Sequence, residues 1–378
     1  MAFRYSRSTS EWHPHSRLVR TLTIVFALLA SDKIAAASPD SQWALRYLKA
    51  EACWIMTRGA GVEVAVVDTG VQPNADLSVR LLPGADFSDT TGVDIGNGQV
   101  DTDTLGHGTG EASLIAGGGE LGSGVLGLAP QAMILPIRAT DGTSAGLVFG
   151  VAPGIEYAIS HGSRVINLAL AYDVGGSDIR RAIQDAIDHD VVVVAAVGND
   201  GSAQQYYPVA WPGVVGVGAV DSSGRVWDRS NRGADVDLVA PGVHILRDDN
   251  RGRVGYSDGT SEATAYVSAA AALVRSAHPG WSAGEVVAAL VGTADKPAEM
   301  RGAVRDDRYG AGILDVLAAV SLRRPPGDGS GGAGRVGGSP AGAGRGGWWW
   351  AVGGAGLAAG AGVLVYGIAK RRRLRRRA

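Results

Sequence analysis

Residues 62–68 read VEVAVVD, a short and almost continuous apolar run that ends in an aspartate. A run of this kind is typical of a strand that is buried on both faces of a sheet. Four further runs of the same type follow along the chain. They are AMILPI (132–137), RVINLAL (164–170), VVVVAAV (191–197) and VVGVGAV (214–220).

Helical patterns alternate with these runs. AGLVFGVAPGIEYAISHG (145–162) and SDIRRAIQDAIDHD (177–190) lie between strands, and Ser177 is the expected N-cap of the second helix. A small-residue helix is expected at about 261–277, and Ser282 and Glu285 predict a capping box for the last helix. Strands and helices in this order predict an α/β domain with a parallel sheet, whose sites form beyond the carboxyl ends of the strands.

Three short frames carry residues that are able to do chemistry. VAVVDTGV places Asp68 at the end of the first strand, GHGTG places His107 in a glycine-rich turn, and DGTSEA places Ser261 before a helix. The order Asp, His, Ser is one of three known for serine-protease triads. In such a triad the imidazole takes the serine proton, the carboxylate orients the imidazole, and the serine attacks a carbonyl.

Each frame also has an ordinary structural interpretation. Ser261 alone could be a helix N-cap, and His107 could be a helix-cap histidine. Asp68-Thr-Gly matches the triplet of aspartic proteases, but the chain has one such triplet where those enzymes need two carboxylates. His161 is a rival histidine, interpreted as a cation in the last turn of a helix that Gly162 terminates. The three frames together, 39 and 154 residues apart, are more specific than any one of them.

Longer segments around these frames resemble the subtilases, and within them the mycosins, which are membrane-anchored proteases associated with type VII secretion. The resemblance covers roughly residues 42–322. It rests on WIMTRGAGVEVAVVDTGV (54–71), GHGTGEASLIAG (106–117), GVLGLAPQAMILPIR (124–138), VINLAL (165–170), VVVVAAVGN (191–199), YPVAWPGVVGVGAV (207–220), SNRGADVDLVAPG (230–242) and GTSEATAYVSAAAALVRSAHP (259–279).

The resemblance implies a subtilisin-like three-layer fold with a mainly parallel sheet flanked by helices. It implies Asp68, His107 and Ser261 as the catalytic triad and Asn199 as the side-chain donor of the oxyanion hole. No cofactor and no metal site are expected. The 100–104 segment, VDTDT, is acidic but too short to indicate a calcium loop.

Two glutamates depart from the family pattern. Glu262 directly follows Ser261, and Glu111 lies four residues after His107, where apolar residues are usual. A carboxylate about 6 Å from a developing oxyanion opposes it by on the order of 3 kcal/mol. Three interpretations are open. Both side chains point to solvent, or they lie close together and share a proton, or they attenuate the site.

Both ends of the chain have patterns that are typical of membrane-targeting segments. Residues 1–37 have a basic start, a ten-residue apolar core and an Ala-x-Ala, which predicts a secretory signal peptide. The peptidase domain is expected at 38–322 and a Gly/Pro-rich linker at 323–347. Residues 348–369 begin with three tryptophans and carry no charge, which predicts a transmembrane helix, and the basic tail 370–378 is expected in the cytoplasm.

Net charge is unevenly distributed along the chain. The total is −2, but residues 1–37 carry +3 and residues 323–378 carry +10, which leaves −15 for the middle. An acidic domain makes nucleic acid an improbable partner. The single cysteine, Cys53, stands beside Trp54 in an apolar stretch and is interpreted as a buried, inert thiol.

These observations predict a secreted, membrane-tethered serine endopeptidase that forms an acyl-enzyme on Ser261. Its domain would lie outside the cell, with protein or peptide substrates, a lipid bilayer and a type VII secretion complex as partners. The alternative is an attenuated or inactive pseudoprotease that acts as a structural partner of such a complex.

Overall fold

A computed structural model of the chain describes residues 42–89, 94–119, 124–142 and 149–323. These residues belong to one unit, Met1–Asp328, and a second unit comprises Gly329–Ala378. The predicted signal peptide, transmembrane helix and basic tail, and all of the predicted linker after residue 323, lie outside the described residues. Within the described part, no helix combines the length and the apolar character needed to cross a membrane.

The centre of the fold is a sheet of seven strands, all paired in parallel, in the order β2-β3-β1-β4-β5-β6-β7. A two-stranded antiparallel hairpin, β8–β9, stands beside it. The bounds are β1 Glu63–Asp68, β2 Ala85–Asp86, β3 Met133–Arg138, β4 Val165–Leu168, β5 Val192–Ala196, β6 Val214–Val220, β7 Leu238–Pro241, β8 Ile245–Asp248 and β9 Val254–Ser257. All five strands expected from apolar runs are confirmed, with ends that differ by two residues at most.

Eight α-helices of the described residues surround the sheet. Their bounds are α1 Trp43–Tyr47, α2 Ala50–Met56, α3 His107–Ala116, α4 Val151–Ser160, α5 Ser177–Asp188, α6 Thr260–Ala277, α7 Ala283–Gly292 and α8 Val316–Ser321, with one 3-10 turn at Ala298–Met300. One apolar core lies between the sheet and α4 and α5, and a second lies between the sheet and the remaining helices. The predicted layered α/β fold with flanking helices is therefore confirmed.

Helix ends follow the predicted signals with two corrections. The helical pattern expected over 145–162 gives a helix that spans Val151–Ser160, and residues 149–150 form a turn before it. Ser282 and Glu285 form the predicted capping box of α7, and Gly162 takes the left-handed conformation after α4 (φ +85°). The prediction that Ser177 is an N-cap is wrong. Gly176 occupies that position in extended conformation, and Ser177 is the first helical residue. Glycine is an acceptable N-cap, so a serine near a helix start does not fix the boundary.

The carboxyl edge of the sheet gathers the residues of the three frames. Asp68 is the last residue of β1, Ala169 follows the end of β4, and Asn199 comes three residues after β5. Helices α3 and α6 begin at His107 and Thr260. This is the edge at which a parallel α/β sheet is expected to form a site.

Candidate active site

Asp68 and His107 meet in the structure as the motif spacing predicted. Oδ1 of Asp68 lies 2.7 Å from Nδ1 of His107 and also accepts the backbone N–H of Thr69 at 2.7 Å. The Asp68 side chain is fully buried, whereas 28% of the His107 side chain is exposed. A carboxylate in this position holds the imidazole with its proton on Nδ1, so that Nε2 is the nitrogen that accepts a proton.

The electrostatic surroundings of His107 favour its charged form. Burial lowers the pKa of His107, but the Asp68 carboxylate raises it through charge and hydrogen bond, and Glu111 and Glu262 raise it further. The net direction is upward from the ordinary value near 6.5. The imidazolium that forms during proton transfer is therefore stabilised by this site.

Two acidic side chains of the preceding loop hold His107 in place. Asp103 accepts the backbone N–H groups of Leu105 at 2.9 Å and of His107 at 3.2 Å. Asp101 accepts the Thr109 N–H at 2.9 Å and the Thr69 hydroxyl at 2.9 Å, which ties α3 to the end of β1. Sequence reasoning missed both roles because it considered the 100–104 segment only as a metal loop. Carboxylates just before a helix N-terminus were the available signal.

Ser261 is the second residue of α6 and lines the same surface cavity as His107. Its hydroxyl donates to the carbonyl oxygen of Ala169 at 3.0 Å. Among the described residues, no hydrogen bond joins Ser261 to His107. Hydrogen bonds between nucleophile and base are often loose before substrate binds, so this arrangement does not remove Ser261 as a candidate.

Asn199 is held by the residue that precedes Ser261. Its Oδ1 accepts both the backbone N–H and the hydroxyl of Thr260, each at 2.9 Å. The Thr260 hydroxyl oxygen in turn accepts the N–H of Gly198 at 3.2 Å. Asn199 also lines the cavity. Because its amide oxygen is engaged by Thr260, the Nδ2 group is the part of the side chain that is available to donate to a bound substrate.

The cavity has a volume of about 480 Å³ and is lined by three of the four predicted site residues, His107, Asn199 and Ser261. The fourth, Asp68, is fully buried and contacts His107 from behind the cavity wall. The walls of the cavity include residues Ala169–Tyr172, after β4, and Gly198–Asp200, after β5. Carboxylates also face it, and Asp200 accepts a hydrogen bond from the hydroxyl of Tyr206 at 2.8 Å. The lining residues are Thr69, Asp103, Leu105, His107, Thr140, Gly142, Ala169, Leu170, Ala171, Tyr172, Ala196, Gly198, Asn199, Asp200, Tyr206, Arg247, Ser257, Asp258, Gly259, Thr260, Ser261 and Glu262.

Glu111 and Glu262 do not point to solvent, so that interpretation is wrong. Their exposed fractions are 0% and 2%. Burial raises the pKa of Glu111, and Glu262 raises it further, to about 8. A buried Glu111 whose pKa Glu262 raises agrees with the interpretation in which the two carboxyls lie close together. The sequence did not reveal the buried cation next to them, Arg247, whose Nε lies 3.4 Å from Oε1 of Glu262.

Curated relatives of the chain are bacterial proteinases. The chain is 38% identical over 245 residues to the thermophilic serine proteinase of Bacillus sp. (strain AK1), which covers 64% of the chain and 59% of that protein. It is 35% identical over 256 residues to thermitase of Thermoactinomyces vulgaris, which covers 68% of the chain and 88% of thermitase. The chain thus spans less than two thirds of the first of these relatives.

Solved structures of mycosins have the same fold. MycP1 from Mycobacterium smegmatis matches with a TM-score of 0.67 and 28% identity, over 79% of this chain and 89% of that chain. The MycP3 protease from the type VII (ESX-3) secretion system matches with a TM-score of 0.63 and 32% identity, over 74% and 88%. The resemblance to subtilases, with mycosins among the similar structures, is confirmed. Since residues 59–312 match the Subtilase family, the chain belongs to that family.

Proposed function

We propose that the chain is a serine endopeptidase that cleaves peptide bonds through an acyl-enzyme on Ser261. The observation that carries this proposal is the 2.7 Å contact between Asp68 and His107, because His107 lines the cavity that Ser261 and Asn199 also line. A nucleophile, a base and a group that orients the base are the minimum for acyl transfer. The chain itself supplies them, and no cofactor has a part in the proposed reaction.

In the proposed acylation step, the Ser261 hydroxyl leaves the Ala169 carbonyl and donates to Nε2 of His107. The oxygen then attacks the scissile carbonyl as His107 takes the proton, and Asp68 stabilises the resulting imidazolium. The tetrahedral oxyanion accepts hydrogen bonds from Nδ2 of Asn199 and from the backbone N–H of Ser261. That N–H lies in the first turn of α6, where helical N–H groups have no partner within the helix.

Labelling with a fluorophosphonate probe tests the proposal. We expect the purified full-length chain to be labelled on one residue, and Ser261→Ala to lose the label while keeping its thermal unfolding profile. Asp68→Asn should retain the fold and lose about 10⁴-fold in rate, because the imidazole is then held in the wrong tautomer. A folded wild-type chain that takes no label would contradict the proposal.

We further propose a single-pass location in the cell membrane, with the peptidase domain outside. Support comes from the apolar segment 348–369 between three tryptophans and a basic tail, and from the signal-like N-terminus. Membrane fractionation with alkaline extraction is the test. The full chain should stay with the membrane, and a chain ending at residue 345 should be released. A full chain that is extracted at alkaline pH would contradict the anchor.

An association with a type VII secretion complex is proposed by analogy with MycP1 from the ESX-1 type VII secretion system and MycP3 from the ESX-3 system. A scaffold function without catalysis is the second candidate. It is favoured by the Ser261 hydroxyl being bound to Ala169 and by the buried carboxyls beside the site. A strain that lacks the protein and a strain that carries Ser261→Ala distinguish the two functions. Loss of secretion in both strains supports the peptidase, and loss of secretion only in the strain that lacks the protein supports the scaffold.

A further inference from the structure

A group of three buried ionisable side chains lies directly beside the candidate active site. Glu111 is on α3, one helical turn after His107, and Glu262 is on α6, next to Ser261. Arg247 comes from β8 and is 7% exposed. Burial of two carboxylates and a guanidinium is unfavourable unless their charges are matched, so this group requires a physical reason.

Arg247 connects the two helices that carry His107 and Ser261. Its Nε faces Oε1 of Glu262 at 3.4 Å, an ion pair rather than a well-aligned hydrogen bond. Its Nη1 donates to the carbonyl oxygen of Gly106 at 3.0 Å. One guanidinium therefore contacts the residue before the candidate base and the residue after the candidate nucleophile.

Two glycines provide the space for this group. A Cβ on Gly110 would lie 2.0 Å from Nη1 of Arg247, and a Cβ on Gly259 would lie 2.5 Å from Oε2 of Glu262. Both distances are below any normal contact. The backbone around the three side chains is thus shaped to hold them, and their burial is a built feature of the site.

We propose that Arg247 is a positioning residue for the candidate active site, which neutralises Glu262 beside the developing oxyanion and fixes α3 against α6. This inference rests on the proposed endopeptidase function and concerns how that site is kept competent. The pairing removes most of the unfavourable effect that the Glu262 charge would have on the oxyanion. A carboxylate paired with a buried cation opposes the oxyanion far less than an unpaired one.

The charges around Glu111 agree with this assignment. The groups that face it are His107 on its own helix, Glu262 and Tyr266 on α6, Asp68 on β1 and Arg247 on β8. Because burial and Glu262 raise the pKa of Glu111 to about 8, it is mostly neutral at pH 7. With Glu111 neutral, Glu262 is the carboxyl that Arg247 pairs with, and both oxygens of Glu111 lack a hydrogen-bond partner among the described residues.

Activity of variants of the full-length chain tests the proposal. Arg247→Met leaves Glu262 unpaired, so we expect kcat/KM to fall about tenfold to a hundredfold at pH 7 and the acidic limb of the pH profile to move to higher pH. The double variant Arg247→Met/Glu262→Gln should recover most of kcat/KM, and the acidic limb of its pH profile should return to the wild-type position. Arg253→Met is the matched control, because it removes an exposed arginine from the same hairpin, and its kcat/KM should equal that of wild type.

Imidazole NMR of His107 gives a readout that does not depend on activity. Arg247→Met should raise the His107 pKa, and Glu262→Gln should lower it. If Arg247→Met does not fold, Glu262→Gln and Arg247→Lys are titrated instead; the lysine keeps the charge and should leave the His107 pKa near wild type.

An unchanged His107 pKa in Glu262→Gln, or a double variant no more active than Arg247→Met, would overturn the proposal. A wild-type chain without fluorophosphonate label would refute the endopeptidase function instead, and the NMR titration would still decide the role of Arg247.

Discussion

Asn199 has one half of its side chain already engaged. Because Oδ1 accepts two hydrogen bonds from Thr260, the amide cannot rotate without breaking both. Its Nδ2 group is therefore preorganised, and a preorganised donor needs no rearrangement when charge develops on a substrate oxygen. The same contact ties the loop after β5 to the start of α6.

We expect Asn199→Ala to lower kcat about 100- to 1000-fold with little change in KM, because the lost donor acts mainly in the transition state. Steady-state kinetics on a peptide substrate is the measurement. Gln204→Ala, an exposed residue of the same loop, is the control and should leave kcat as it is. A similar fall in kcat for both variants would point to general disturbance of the loop.

Glu111 makes stability depend on pH. Its pKa is about 8 in the folded chain against an ordinary value of 4.5. Below pH 4.5 both states are protonated; as pH rises to 8 the unfolded state ionises first, and the folded state loses relative stability. We expect Glu111→Gln to match wild type near pH 4.5 and to be more stable at pH 8, by on the order of 4 kcal/mol at most. Chemical denaturation at several pH values is the measurement, and an equal difference at all pH values would contradict it.

At the scale of elements, helix α3 begins with GHGTG, a poor helix-forming sequence. Its glycines are required by close contacts. A Cβ on Gly108 would lie 2.2 Å from the carbonyl oxygen of Gly70, and Gly110 leaves room for Arg247. The N-terminal turn of α3 therefore packs backbone against backbone, and this brings His107 within reach of Asp68.

Gly110→Ala should be destabilising although alanine is the better helix former by about 1 kcal/mol. The added methyl group would displace the Arg247 guanidinium from its contacts with Gly106 and Glu262. We expect a lower melting temperature together with a lower kcat/KM. Gly292→Ala is the matched control, because it is also helical but has no heavy atom within 4 Å of the new Cβ. Its stability should be equal or slightly higher, and equal behaviour of the two variants would refute the packing explanation.

The sequence predicted the central strands and the four candidate site residues because both signals are local. A buried strand shows as an apolar run, and Asp68, His107, Ser261 and Asn199 each lie in a short frame. Arg247 lies in a surface-like stretch, HILRDDNRG, and its partners are distant in the chain. Its role arises only when β8 packs beside α3 and α6. The signal available was indirect, since two acidic residues at positions expected to be buried require a buried cation.

At the scale of the whole molecule, α6 is fixed at both ends by buried arginines. At the start, Arg247 faces Glu262. At the end, Arg275 is 3% exposed and its Nη1 donates to Asp190 at 3.0 Å and to the carbonyl oxygen of Trp281 at 2.8 Å. Asp190 follows α5, which packs on the other face of the sheet. The second arginine thus connects the two helical layers at the edge away from the site.

Arg275→Met should therefore separate stability from activity. We expect the free energy of unfolding to fall by about 1–3 kcal/mol, because the buried Trp281 carbonyl loses its Arg275 donor. Among the described residues, the Asp190 carboxylate then keeps only Arg164 and the Ala283 N–H. We expect kcat/KM to stay unchanged below the unfolding transition. Denaturation and steady-state kinetics on one preparation are the measurements, with the exposed Arg181→Met as control. A loss of kcat/KM in Arg275→Met would show that α6 transmits strain along its length.

The rate at which Cys53 reacts with a thiol reagent reports how often the surrounding structure opens. Cys53 is the one cysteine in the sequence, its side chain is fully buried, and burial raises the pKa of its thiol to about 11. A maleimide dye will react with it only when the segment around α2 opens, and every reacted molecule records one opening event. Labelling rates can then rank the variants described above in unpurified samples, where neither calorimetry nor a peptide assay is practical.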